Sequence, residues 1–163
     1  MISSTYSNTY GSPVAVTRCG NIYGPGDFNF SRIVPDAIRC MLSGRELLIR
    51  SDGTFTRDYI YVKDIVNGYI LLADNLAKKR FSAEAFNFSN EKPVSVRYLV
   101  GKIYKLAGKK PLYRILNKAV CEIRHQYLAA GKAARLLRWK PAYTLEQGLE
   151  ETINWYRNYL KKA

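Results

Sequence analysis

Two stretches of the chain carry residue types suited to holding an anion. The first is Thr17-Arg18-Cys19-Gly20-Asn21-Ile22-Tyr23-Gly24-Pro25-Gly26-Asp27, where an apolar run (Val14, Ala15, Val16) gives way to a polar, glycine-rich loop. The second is Arg57-Asp58-Tyr59-Ile60-Tyr61-Val62-Lys63-Asp64, which sets an arginine just ahead of an alternating apolar segment that runs into a helix. A side-chain amide donates two hydrogen bonds, and a guanidinium presents a planar fork of donors. In an open α/β sheet, ligands bind in the crevice beyond the carboxyl ends of the strands. Asn21 and Arg57 delivered there suit an anionic ligand. Arg32, at the start of a helix whose N-terminus already attracts anions, offers a third donor. Each residue also has a plainer reading: a turn-forming Asn21, a local ion pair of Arg57 with Asp58 or Asp64, and a solvated Arg32.

The elements that must position these groups are short. Residues 1 to about 10 read as the last turns of a helix closed by Gly11 and Pro13. Val14 to Arg18 is a buried strand, and Cys19 to Ser31 is a loop. A helix over about 32–42 carries Pro35 in its first turn, where the missing N–H costs little. Glu46 to Arg50 is a strand and Ser51-Asp52-Gly53 a turn. Phe55 to Tyr61 alternates and reads as one strand, with one of Tyr59 and Tyr61 in the core. A helix over 62–77 repeats Ile65, Tyr69, Leu72 and Leu76 at helical spacing. Ala85 to Phe88 is a strand. Ser95 caps an amphipathic helix bearing Val96, Leu99, Val100, Ile103 and Leu106. Leu112 to Leu116 offers a further strand, and Gly131 to Leu137 a short basic helix. The last helix opens on Thr144-Leu145-Glu146-Gln147, a capping box, and carries the stripe Leu145, Leu149, Ile153, Tyr156 and Leu160. Strands and helices alternate, but the strands are too few and short for a full parallel sheet. The expected class is α/β, the later part of a doubly wound fold with a small mixed α/β lobe.

At 163 residues, 47% of them hydrophobic, the chain can bury one real core. It lacks an apolar run of about 18 residues, and Met1-Ile2-Ser3-Ser4-Thr5-Tyr6 has no basic start or apolar segment, so a cytoplasmic protein is expected. Cys19, Cys40 and Cys121 read as reduced thiols, and with His125 the single histidine no metal site is expected. The formal net charge of +13 raises a nucleic-acid reading. Against it, the cations are scattered among Lys78-Lys79-Arg80, Lys109-Lys110, Lys132, Arg135, Arg138, Lys140 and Lys161-Lys162, mostly at helix ends or solvent faces.

The two anion-suited stretches, followed by Trp139-Lys140-Pro141 and a capped terminal helix, resemble the extended short-chain dehydrogenase/reductases. The closer resemblance is to the NAD-dependent epimerases and dehydratases of nucleotide sugars. Asn29-Phe30-Ser31-Arg32-Ile33-Val34-Pro35, Ile49-Arg50-Ser51-Asp52-Gly53-Thr54-Phe55 and Arg124-His125-Gln126-Tyr127-Leu128 resemble the CDP-glucose 4,6-dehydratases among them. The resemblance implies a Rossmann half that binds NAD and a smaller lobe that binds the nucleotide sugar. It implies diphosphate contacts from Asn21 and Arg57, with Arg32 added, and nicotinamide packing by Cys19 and Gly20. Leu48, Ile49 and Arg50 would flank the base, and Glu122 and Arg124 would lie in the segment that closes over the nucleoside.

The family's glycine fingerprint and Tyr-x-x-x-Lys pair find no match: neither Tyr6 nor Tyr10 has a lysine at the fourth place after it. No catalytic residue is assigned. Residues 1–163 are expected to form one incomplete unit, the last Rossmann elements interleaved with the C-terminal nucleotide-sugar-binding lobe, without the N-terminal NAD-binding half. The implied chemistry moves hydride from the sugar C4 to NAD, eliminates water across C5 and C6, and returns the hydride to C6. This chain alone is expected neither to bind NAD nor to turn over. Its expected partners are a CDP-hexose and either a second copy or a separately encoded N-terminal half, with no membrane and no nucleic acid. A sugar-nucleotide epimerase and a non-enzymatic basic lobe are the alternatives. Arg138 stands where the family carries Gly, and Ala129 where a polar residue starts a helix. An apolar patch is expected near Val14 to Val16 and Ile2.

Overall fold

The computed structural model describes residues 2–78, 80–120 and 122–161. Met1, Lys79, Cys121 and Lys162, each part of a reading above, lie outside the described residues. In chain order the elements are α1 (Ile2–Tyr10), β1 (Val16–Cys19), β2 (Asn21–Tyr23), α2 (Ile33–Ser43), β3 (Leu47–Ile49), β4 (Thr56–Arg57) and β5 (Tyr59–Tyr61). There follow α3 (Val62–Ala77), β6 (Ala85–Phe88), β7 (Val94–Ser95), α4 (Val96–Leu106), β8 (Tyr113–Ile115), β9 (His125–Gln126), α5 (Gly131–Leu137) and α6 (Leu145–Leu160). Strands pair in parallel as β1 with β6, β2 with β5 and β3 with β8, while β4 lies between antiparallel β7 and parallel β9. This is a mixed α/β fold with Rossmann-like parallel pairing.

Helix boundaries follow local chemistry. The Ser95 hydroxyl accepts the Tyr98 N–H at the start of α4, and Thr144 and Gln147 complete a reciprocal capping box on α6. Gly44, left-handed at φ 68°, closes α2. At α5 the cap falls on Ala130, one residue after the Ala129 expected to start the helix. The Ala130 cap has no side-chain bond to give, and the Glu91 carboxylate accepts its N–H instead. Arg138 takes the left-handed C-cap conformation at φ 55°, a place that favours glycine.

Two strand readings change. The stretch expected as loop over Cys19 to Ser31 contains β2, which pairs with β5. The single strand expected over Phe55 to Tyr61 breaks at Asp58 into β4 and β5, which belong to different sheets. Tyr59 and Tyr61 are both buried, at 4% and 1% exposure. The alternation on β5 separates two cores rather than core from solvent. Ile60 faces the one built on Phe86, Phe88, Leu72, Leu137 and Trp139, while Tyr59 and Tyr61 face the one built on α2, α4 and α6. Strand β5 therefore contributes to both cores.

Asp64 ties the two cores together. Its backbone carbonyl accepts the Trp139 indole N–H at 3.0 Å, and its buried carboxylate accepts the Ala142 N–H at 2.7 Å. Burial pushes the Asp64 carboxyl up from its ordinary value, and the backbone donors pull it partly back. The Trp139-Lys140-Pro141 stretch is thus a strap fastened to the start of α3.

The expected apolar patch is exposed at Ile2 but not along Val14 to Val16. Val14 and Val16 are half-buried, whereas Ile2, Tyr6 and Tyr10 of α1 and Val66, Tyr69 and Ile70 of α3 stand exposed. β1 pairs on one side only among the described residues. Among those residues no helix is long and apolar enough to cross a membrane.

Candidate functional site

The chain leaves β1 and enters β2 at Gly20, and this switch between sheets opens a cavity of about 440 Å³. Gly20 donates its N–H to Phe88 of one sheet, and Asn21 donates its own to the Asp58 carbonyl beside the other, at 2.6 Å. A Cβ on Gly20 would lie 2.8 Å from that carbonyl and 3.0 Å from the Asp58 carboxylate, so only glycine fits. Asp58 is itself buried and accepts from the Ser89 hydroxyl. Burial raises its carboxyl, and the Ser89 bond opposes the shift.

The cavity brings together Cys19, Gly20, Asn21, Arg32, Arg57 and Glu122. The Asn21 amide makes no hydrogen bond among the described residues, and its residue is exposed. Arg57 sits on β4, clamped by β7 and β9, with its side chain only 16% exposed. One guanidinium nitrogen donates to the Thr56 carbonyl at 2.9 Å, and the other faces the Glu122 carboxylate at 3.7 Å. The ion pair expected as its plainer reading, with Asp58 or Asp64, does not form; the acid is Glu122. Arg32 is the N-cap of α2, makes no side-chain cap, and pairs with Asp27 at 3.4 Å while remaining 58% exposed. Two cations and two carboxylates therefore share the cavity, Arg32 lightly tethered and Arg57 held in place by the carbonyls of Thr56 and Arg124.

The remaining assigned residues divide. Leu48, Ile49 and Arg50 line a smaller hollow of about 130 Å³ that shares Arg32, Ser51 and Glu122 with the main cavity. Ile49 is nonetheless a core residue at 2% exposure, because β3 buries it between α2 and β8. Arg124 lines neither hollow; its carbonyl accepts from the Thr56 N–H, so it acts through its backbone on β4. Residues not foreseen include Asp27, Ser51, Phe55 and Tyr59. Asp27 stands inside the Gly-Pro-Gly-Asp loop, and its carboxylate also accepts the Asn29 N–H, an Asx turn readable from the sequence. Tyr59 carried no such signal, since its strand face depends on the two-core arrangement. Burial pushes its phenol up to about 12, with Arg57 pulling the other way. The Cys19 thiol, also raised by burial, lies 3.8 Å from the Tyr69 hydroxyl.

An amide, two guanidinium groups and a neutral thiol around one hollow can hold a polyanion against an apolar wall. The chain also has recognisable relatives among known proteins. The profile of the NAD dependent epimerase/dehydratase family matches residues 1–87. The chain is similar to UDP-glucuronate 4-epimerase of Thermodesulfobacterium geofontis, 29% identical across 99% of this chain and 48% of that protein. It is 30% identical to dTDP-glucose 4,6-dehydratase 1 of Escherichia coli, across 96% of this chain and 44% of that one. Among solved structures, UDP-glucose 4-epimerase of Thermotoga maritima with UDP-glucose superposes with a TM-score of 0.84 at 30% identity, covering 96% of this chain and 50% of that one. The dTDP-glucose 4,6-dehydratase of Bacillus anthracis in complex with NAD gives 0.84 at 31% identity, covering 99% and 50%. The chain spans about half the length of the curated relatives it matches. With its first half matched by that profile and its fold by those structures, the chain belongs to the NAD dependent epimerase/dehydratase family.

Proposed function

We propose that this chain is the nucleotide-sugar-binding portion of a 4,6-dehydratase acting on a CDP-hexose. Asn21 and Arg57 bind the diphosphate, Arg32 adds a third donor, and the hollow at Leu48, Ile49 and Arg50 receives the base. The observation that carries this reading is the convergence of Asn21, Arg32 and Arg57 on one cavity from three separate elements. NAD supplies the hydride acceptor when bound. Cys19 and Gly20, side by side in the lining, would hold its nicotinamide ring, and the thiol, raised by burial, is neutral at pH 7. The catalytic acid and base are supplied by the remainder of the enzyme, so this chain alone gives no 4-keto product from CDP-glucose and NAD. Exposed Ile2, Tyr6 and Tyr10 and the one-sided β1 suit a partner, either a second copy or a separately encoded N-terminal half. The free thiols of Cys19 and Cys40 fit a cytoplasmic setting.

Calorimetric titration with CDP-, UDP- and dTDP-glucose tests the reading. CDP-glucose is expected to bind most tightly; a chain that binds none of the three is not a nucleotide-sugar lobe. A preference for UDP-glucose favours the epimerase reading, which the likeness to two UDP-sugar 4-epimerases supports.

Glu122 competes with the ligand for Arg57. Its carboxylate is about half exposed and stands 3.7 Å from the guanidinium, so the pair is worth about 0.2–1 kcal/mol. The variant Glu122→Gln is expected to tighten diphosphate binding by roughly two- to fivefold. Unchanged or weaker binding in the same titration means that Glu122 contacts the ligand instead.

A further inference from the structure

A second cleft lies away from the site described above. It measures about 440 Å³ and is lined by Asn75, Lys78, Arg80, Arg135, Leu136 and Arg138. No acidic residue is among its described lining, and none of its four cations forms an ion pair among the described residues. Helix carbonyls favour cations at a C-terminus, which accounts for Lys78 at the end of α3 and Arg135 in the last turn of α5. The other two need a different reason.

Arg138 occupies a left-handed C-cap at φ 55°, where glycine would make the same backbone bond to Ala133 without a Cβ in the way. An arginine kept in a conformation that disfavours it, with its side chain on a cleft holding three more cations, points to a use for the charge. Arg80 lies beyond the end of α3 and is pre-positioned. Its N–H is bound by the Asn75 carbonyl, and its guanidinium carbon sits 4.9 Å from the Phe81 ring centre. Four like charges around one hollow repel each other, and a polyanion in the hollow removes that repulsion.

We propose that the cleft between the ends of α3 and α5 is a binding site for a polyphosphate, a chain of phosphates carrying three or more negative charges. Lys78, Arg80, Arg135 and Arg138 line the cleft, and exposed Leu136 forms an apolar wall. The site is independent of Asn21 and Arg57 and stands whether or not the chain binds a nucleotide sugar.

The experiment uses sodium tripolyphosphate and the full chain carrying Arg57→Gln, which weakens the first site. Calorimetry at low salt is expected to show saturable one-to-one binding. Adding Arg138→Gly is expected to weaken it at least fivefold, while the thermal midpoint stays level or rises because the strained cap is relieved. Arg135→Gln is expected to weaken it as well. Tripolyphosphate affinity unchanged by Arg138→Gly and Arg135→Gln overturns the proposal. So does binding confined to a single-stranded oligonucleotide with none to tripolyphosphate.

Discussion

Replacing Arg57 with glutamine is expected to weaken binding of CDP-glucose by roughly 10- to 150-fold, the loss of about 1.5–3 kcal/mol that a charge-assisted bond supplies. The size of the effect follows from placement. Arg57 is largely buried, its strand is pinned on both sides, and one nitrogen is committed to the Thr56 carbonyl. The guanidinium is therefore oriented before the ligand arrives, and little side-chain entropy is lost on binding. Arg32, 58% exposed and tethered only at 3.4 Å, is expected to matter less. Glutamine retains a donor for the Thr56 carbonyl, so circular dichroism melting should show little change. A nucleotide affinity indifferent to Arg57→Gln, measured by calorimetry, removes this residue from the site.

The substitution Gly20→Ala is expected to destabilise the fold by about 1–3 kcal/mol, as overpacking against a fixed neighbour does. A methyl group at Gly20 would meet the Asp58 carbonyl at 2.8 Å and its carboxylate at 3.0 Å. Neither atom can give way cheaply. The carbonyl is bonded to the Asn21 N–H, and the carboxylate is buried against Ser89. For a chain of this size the thermal midpoint should fall by roughly 2–4 °C for each kcal/mol. Because the strain enters between Gly20 and Asn21, the amide of Asn21 is displaced as well, and nucleotide binding should fall even where the protein remains folded. A melt and an affinity both equal to the parent's contradict the close packing of the sheet switch.

Much of this arrangement was legible in the sequence because its causes are local. The capping box of α6, the Ser95 cap and the stripe of α4 are written within single turns of helix. The bounds of α3, read from its periodicity, and of β6 and α5 agree with the sequence reading. The strands that escaped notice, β2, β7 and β9, are two or three residues long and exist only because a distant partner pairs with them. The same holds for the break at Asp58. Its neighbours on either side belong to different sheets, and nothing in Phe55 to Tyr61 marks the change.

The site divides along the same line. Asn21, Arg32 and Arg57 are recognisable as donors by type and motif, and the fold brings them to one cavity. Their carboxylate neighbours, Glu122 and Asp27, were not readable as partners, because each pairing requires the loop's path in space. Arg124 is assigned by the resemblance of its segment to one that closes over the nucleoside. On the strand β9 side of that segment the chain turns its backbone, not that side chain, toward β4.

The most direct test is a crystal structure of this chain soaked with CDP-glucose. The account predicts diphosphate oxygens within about 3.2 Å of both the Asn21 amide nitrogen and the Arg57 guanidinium, with Glu122 swung clear. A diphosphate seated elsewhere on the surface, with residues 21 and 57 left untouched by it, contradicts the account.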